Sequence, residues 1–372
     1  MSAKKIGIVF NTGLGDGLML LPLAKSLKME SYHVTAIVCS NYITKEVLND
    51  FDLFDEIIEI KTGGWSIGHF TMNNIRKYDT FLISYSSSSW VWAMVGTFIS
   101  RKVITNRKKW YLRLIPGIRF ENIRSNDHVI LQNIQLANHL ISDKTKLDFN
   151  FLKIFPKTMF PLTTSLKINS GRILNISEPY LVVQVSASNN VVQYKNWKIE
   201  YWIQFLNQIS DKYGLLKIYL LGDSNEIKNA TIISNENIPN VTSLVGETSL
   251  MNALDLVKYA TCYIGLDSGL MHAAALMGRP TFTLWGPTSP KDYGYEIFNK
   301  NIHRDVCSYL PCHPCKSWIN HNNSRVNKPE DCPDLVCIAE MSPIYISAEF
   351  IKFYEALKYT SYSEDLDTMS MQ

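Results

Sequence analysis

Residues 264–275 read Ile264-Gly265-Leu266-Asp267-Ser268-Gly269-Leu270-Met271-His272-Ala273-Ala274-Ala275. An apolar strand ends at Gly265, and Asp267, Ser268 and Gly269 form a tight turn whose unpaired N–H groups open the next helix. A helix start of this kind binds a diphosphate through backbone amides and the helix dipole, without any protein charge. His272 stands one turn into the helix, where it can donate to a phosphate or brace the loop. Ala273, Ala274 and Ala275 let the helix pack closely on a sheet. The plainer reading of the same residues is an Asp-Ser-Gly helix cap followed by a core histidine.

Outward from this stretch, strands and helices alternate. Upstream the pattern predicts strands over residues 180–185, 217–221, near 241 and 262–265, with helices over 199–212, 225–233, 250–259 and 270–277. A strand over 281–285 closes that sheet. The N-terminal half repeats the rhythm, with strands over 6–10, 34–38, 56–60 and 80–84 and helices over 17–28 and 41–51. Residues 90–99 suit a buried helix, residues 348–359 a last amphipathic helix, and 360–372 a polar tail. Alternation of this kind implies parallel sheets covered by helices on both faces. The expected fold class is therefore α/β, with two doubly wound, Rossmann-like domains facing across a cleft. The boundary falls near residue 170, before Pro179, giving 1–170, 171–346 and a C-terminal helix and tail over 347–372.

The composition suits an enzyme of this size: 372 residues, 46% hydrophobic, 19% charged. A net charge of +3 argues against a nucleic-acid partner. The N-terminal apolar run is too short for a signal-peptide core, and no stretch approaches the roughly 20 apolar residues of a membrane span. The expectation is a cytoplasmic protein.

Two further loops carry chemistry. After the first strand comes Asn11-Thr12-Gly13-Leu14-Gly15-Asp16-Gly17, in which Gly13 and Gly15 permit a sharp turn. Leu18 stands where a dinucleotide fingerprint needs its last glycine, and the second strand ends without an acid, so NAD is a poor fit. Asp16 either stabilises a helix start or serves as a general base for an attacking hydroxyl. After the strand over 180–185, Lys195 lies in Asn189-Asn190-Val191-Val192-Gln193-Tyr194-Lys195-Asn196-Trp197, where an ammonium can counter a leaving diphosphate. Asp223 and Glu226 follow another strand and could hold a ribose hydroxyl. Thr288, in Pro287-Thr288-Ser289, adds a hydroxyl at the same rim.

Together these residues resemble glycosyltransferase family 9, the heptosyltransferase family. Gly13-Leu14-Gly15-Asp16 with Pro22 is similar to its N-terminal signature, and Lys195-Asn196-Trp197 to its lysine-x-tryptophan element. The run from Asp267 through Gly278-Arg279-Pro280 to Gly286-Pro287-Thr288 is similar to its C-terminal signature, and Leu244 to Leu250 to the segment before it. The resemblance implies the GT-B fold, an N-terminal acceptor domain and a C-terminal sugar-nucleotide domain. It implies inverting transfer of heptose from ADP-heptose to a hydroxyl of a lipopolysaccharide core sugar or a protein Ser/Thr, with no catalytic metal. Asp16 would be the base. Lys195 and the Ser268–Gly269 backbone with His272 would hold the diphosphate. From the residues themselves, Gly15, Asp223, Glu226, Asp267 and Thr288 are the further donor-site candidates. The alternatives are another donor such as a UDP-sugar, or a non-catalytic GT-B scaffold.

Five of the seven cysteines lie between Cys307 and Cys337. Cys312 and Cys315 form a C-x-x-C pair, and with Cys332 and Cys337 they give four thiols at ligand-like spacing, Cys307 being an alternate. Zinc is the chemical expectation. The family's protein-modifying autotransporter heptosyltransferase branch has a similar set, described as iron-binding, so iron is what that resemblance implies. The ion would be structural. Between Arg101 and Arg124 lie eight basic residues, among them Arg107, Lys108, Lys109, Arg113 and Arg119, against the single acid Glu121. They point either to an anionic acceptor or the inner membrane face, or to a solvated helix face.

Overall fold

Five of the six residues of β1 (Lys5–Phe10) are buried, the pattern of a central strand covered on both faces. The computed structural model describes residues 3–84, 86–87, 89–106, 113–121, 124, 126–141, 165–187, 193–315, 332 and 336–369, with side chains to Lys358. The chain divides into two compact units, Met1–Thr158 and Met159–Gln372.

In the first unit β1 leads into α1 (Leu14–Leu18) and α2 (Leu21–Met29), then β2 (His33–Val38), α3 (Lys45–Asp50), β3 (Glu56–Glu59), α4 (Gly64–Asn73), β4 (Tyr78–Ile83), α5 (Trp90–Ile99), β5 (Ser100–Thr105), β6 (Ile118–Phe120) and α6 (Val129–Gln135). The strands form one parallel sheet in the order β3-β2-β1-β4-β5-β6. The expected helix over 17–28 is two helices, because Met19 and Leu20 turn the chain between them before Pro22 opens α2. The start of the basic stretch is a strand rather than a helix face. Val103 and Ile104 are fully packed in β5, with Arg101 and Lys102 at its outer end. Helix α5 is buried on one side only. Helical spacing sends Trp92, Val95 and Ile99 inward and leaves Trp90, Met94 and Phe98 in solvent.

The second unit contains a small hairpin, β7 (Ser165–Lys167) with β8 (Ile173–Asn175). It continues with β9 (Tyr180–Val183), α7 (Ile199–Lys212), β10 (Lys217–Leu220), α8 (Ile227–Asn235), β11 (Val241–Ser243), α9 (Leu250–Tyr259), β12 (Cys262–Leu266), α10 (Gly269–Leu276), β13 (Thr281–Trp285), α11 (Pro290–Tyr293), β14 (His303–Cys307), α12 (Val336–Ala339) and α13 (Pro343–Met369). Its parallel sheet runs β11-β10-β9-β12-β13-β14, the same winding as the first. The strand over 281–285 does not close the sheet, since β14 pairs along its whole length. The expected polar tail is helical through Met369.

Helix α13 is held on α7 by rings. Phe350 contacts Phe205 and Phe282 edge-on, and Tyr354 meets Tyr213. Trp197 packs on Trp202 and Phe205, and its indole N–H donates to the Met341 carbonyl at 2.9 Å. These large buried rings make the C-terminal helix part of the second unit's core.

Candidate active site

Both sheets reverse strand order beside their first strand, between β1 and β4 and between β9 and β12. In open parallel sheets ligands bind beyond the carboxyl ends of the strands at this reversal. The loops after β1, β9 and β12 all leave from there.

After β12, Ser268 adopts an extended conformation and caps α10, its Oγ accepting from the Met271 N–H at 3.4 Å. The same hydroxyl donates to Gln184 Oε1 at 2.7 Å, and Tyr263 donates to that oxygen at 2.9 Å. The cap is therefore fixed from the neighbouring strand as well as from its own helix. Gly265 permits this closeness, since a Cβ there would stand 2.7 Å from the Tyr263 hydroxyl and 3.0 Å from the Gln184 carbonyl.

Asp267 is 6% exposed. Lys195 Nζ donates to its Oδ2 at 2.5 Å, and His272 Nε2 lies 3.5 Å from Oδ1. Tyr295 OH stands 3.1 Å from His272 Nδ1 and holds the ring from behind. Burial alone would raise the Asp267 carboxyl, but the Lys195 ammonium and His272 reverse this and hold it far below the usual carboxylate range. A buried carboxylate thus anchors an ammonium at the positive end of α10. Added to the first-turn N–H groups, this makes a locus suited to a polyanion.

Lys195 reaches Asp267 from a single helical turn, Gln193–Lys195. Asn196 ties that turn down by accepting from the Ala187 N–H at 2.8 Å. Gly286, just past β13, packs against it: a Cβ there would lie in ordinary contact, 3.4 Å from Lys195 Cα. Residues 188–192 of the same loop lie outside the described residues.

Glu226 is 2% exposed and accepts from Ser186 Oγ at 3.3 Å. Burial, and then Asp223 nearby, push its carboxyl up to about 8, against the Ser186 and Gln184 hydrogen bonds that favour the charged form. Gln184 therefore joins Glu226 to the Ser268 cap. Asp223 is exposed and caps its own turn, accepting from the Asn225 N–H at 2.7 Å. Thr288 is 4% exposed, and its Oγ1 has no protein partner among the described residues.

The structure brings Lys195, Asp267, Ser268, Gly269 and His272 into one cluster, with Glu226 linked through Gln184. Gly15 and Asp16 belong to the first unit. Asp16 is not a cap: Gly13 precedes α1, and Asp16 sits in its first turn, half-buried, with Oδ2 accepting from Thr12 Oγ1 at 3.2 Å. Gln184, Tyr263 and Tyr295 are contributors that the motifs do not mark. In sequence they read as sheet and core residues.

The cysteines depart from expectation. Burial, and then Cys315, Cys332 and Cys312 nearby, raise the Cys337 thiol to about 12, so the four share one neighbourhood. Yet among the described residues no group of three or more His, Cys, Asp or Glu is placed to hold a metal ion. The expected tetrahedral set is not formed. Cys315 is instead tied to the loop after β13, its N–H donating to the Pro287 carbonyl at 2.8 Å. Cys307 ends β14, half-buried.

In the basic stretch, Arg107, Lys108 and Lys109, with Trp110 and Tyr111, lie outside the described residues. Arg119 pairs with Glu121 at 2.9 Å, and Lys102 lies 3.0 Å from His139 Nε2. Among the described residues no helix is long and apolar enough to cross a membrane.

The sequence profile of glycosyltransferase family 9 (heptosyltransferase) matches residues 106–324. Lipopolysaccharide heptosyltransferase 2 of Escherichia coli (strain K12) is 30% identical over 98 residues, 26% of this chain and 28% of that protein. The chain's match thus spans less than a third of the length of such curated relatives. Two solved structures are similar at the level of fold. E. coli ADP-heptose lps heptosyltransferase II has a TM-score of 0.66 at 18% identity, covering 94% of this chain and 98% of that one. The iron-containing dodecameric glycosyltransferase TibC from enterotoxigenic E. coli has a TM-score of 0.54 at 12% identity, covering 96% and 78%.

Proposed function

Because the chain belongs to glycosyltransferase family 9, the heptosyltransferases, we propose that it transfers a heptose from ADP-heptose to a hydroxyl acceptor with inversion at the anomeric carbon. The observation that carries this reading is the buried Lys195–Asp267–His272 cluster at the start of α10, a locus built for a diphosphate. The similarity to lipopolysaccharide heptosyltransferase 2 favours an anionic glycolipid as acceptor over a protein Ser/Thr.

In the proposed reaction Asp16 takes the acceptor hydroxyl proton as that oxygen bonds to the anomeric carbon. The bond from that carbon to the diphosphate breaks, and its electron pair leaves with ADP. Lys195, held by Asp267, and the first-turn amides at Ser268 and Gly269 offset the charge that grows on the leaving oxygen. Glu226, kept protonated at neutral pH by its burial, can donate to a ribose oxygen, and Thr288 Oγ1 supplies a further hydroxyl. Cys312, Cys315, Cys332 and Cys337 are soft donors of the kind that suit a structural zinc or iron, and holding an ion would require them to close beyond their placement among the described residues.

Heptose transfer to a lipopolysaccharide-core acceptor tests the reading. Asp16→Asn should lower kcat by ~10²–10⁴-fold, the range of a lost general base, while donor affinity stays unchanged. An Asp16→Asn enzyme with wild-type turnover would remove the base from the scheme.

A further inference from the structure

Helices α4 and α5 pack side by side in the first unit. Residues 62–75 and 90–100 contain no Asp, Glu, Lys or Arg. Phe70, Trp92, Val95 and Ile99 fill the core beneath them. The opposite face carries large apolar side chains around the exposed His69 and Asn73: Trp65 is 94% exposed, Met72 70%, Trp90 63%, and Ile75 and Phe98 54% each. Both helices leave the same edge of a parallel sheet, so Trp65 and Trp90 stand at one end. The other ends are tied together, the Arg76 N–H donating to the Phe98 carbonyl at 3.0 Å and its guanidinium to the Ser100 carbonyl at 2.5 Å. An exposed apolar face of this kind marks an interaction surface.

Charge selects the occupant. Each helix is followed by a basic pair, Arg76-Lys77 and Arg101-Lys102. Lys77 is engaged by Glu56 and Lys102 lies against His139, whereas Arg101 is 77% exposed and only 3.9 Å from Asp79 at its nearest. The unit Met1–Thr158 holds 20 Lys and Arg against 13 Asp and Glu, and the remainder 17 against 21. A basic unit bearing a tryptophan-rich, charge-free face complements a surface that is anionic outside and apolar beneath.

We propose that the α4–α5 face docks on an anionic lipid bilayer, seating Trp65, Trp90 and Phe98 at headgroup level with Arg101 toward the phosphates. The proposal rests on the glycolipid-acceptor reading only in that such an acceptor is met at a membrane surface.

Co-sedimentation of the full chain with vesicles tests it. Phosphatidylethanolamine vesicles containing phosphatidylglycerol should capture the protein at least about tenfold better than phosphatidylcholine vesicles, less so as salt rises. Met94→Glu with Phe98→Glu should lower that capture by about tenfold or more, as should the separate Trp65→Ser at the most exposed position. Equal capture by both lipids, or capture untouched by the folded variants, overturns the proposal. So does a lipid-free, concentration-dependent dimer that these variants abolish while vesicle capture stays absent, since the face would then meet a second copy. ADP-heptose titration of the same samples separates the two readings. Vesicle capture without donor binding keeps the docking face and fails the transferase reading, and donor binding without capture does the reverse.

Discussion

Removing the Lys195 ammonium leaves the Asp267 carboxylate buried with His272 beside it among the described residues. Breaking one partner of a buried pair costs ~3–5 kcal/mol. Chemical denaturation of Lys195→Ala should show a loss of that size, and adding Asp267→Asn should recover roughly 2 kcal/mol or more, because the stranded charge is gone. Equal stability of the single and double variants would show that the pair is not coupled. Glu226 has the opposite problem, a buried carboxyl with no cation beside it among the described residues. Its folded pKa, about 8, lies above the ordinary value of 4.5, so the native state holds the proton more tightly than the unfolded chain. That stability is complete below the ordinary value and is lost as pH rises through about 8. Thermal melts should therefore fall from acid to mildly alkaline pH, and Glu226→Gln should flatten that slope. A wild-type and Glu226→Gln pair with parallel pH profiles would contradict the assignment. Lys195, Asp267, Ser268 and His272 were legible because their spacing carries their chemistry. Gln184 was not, because an amide at a strand end acquires its role only when β9 and β12 become neighbours.

Helix α10 and its preceding strand were readable as elements, since a strand, a Ser cap and an alanine run each have a local cause. Strands β5 and β14 were among those that were not. Strand β5 was masked by Arg101 and Lys102, which dominate a charge reading although Val103 and Ile104 complete a strand behind them. Strand β14, His-Arg-Asp-Val-Cys, looks polar, yet it is an outer strand whose His303 and Asp305 are satisfied by Thr281 and Trp285. The reading of α5 as a buried helix missed its solvent face, because an apolar run shows no polar side by which to orient it. The cysteine turn and α12 belong to this scale too. Elemental analysis of purified protein should find about one zinc or iron per chain, lost in Cys337→Ser, if these thiols close around an ion as their spacing suggests. Metal-free, folded protein would limit them to packing.

At the scale of the molecule, two parallel sheets with one winding follow from the repeated alternation of buried strands and amphipathic helices, so the fold class was open to reading from pattern alone. The charge division between the units was not, since a net +3 averages a basic unit and an acidic one. In the second unit, the cluster around Asp267 is the proposed donor site for ADP-heptose. Calorimetric titration with ADP-heptose, a UDP-sugar and NAD tests it most directly, on wild type and on the Lys195→Ala/Asp267→Asn double variant. The account predicts binding selective for ADP-heptose that the double variant weakens by about tenfold or more, the loss of one charge-assisted contact. A UDP-sugar bound in its place, or ADP-heptose bound equally well by both proteins, would contradict it.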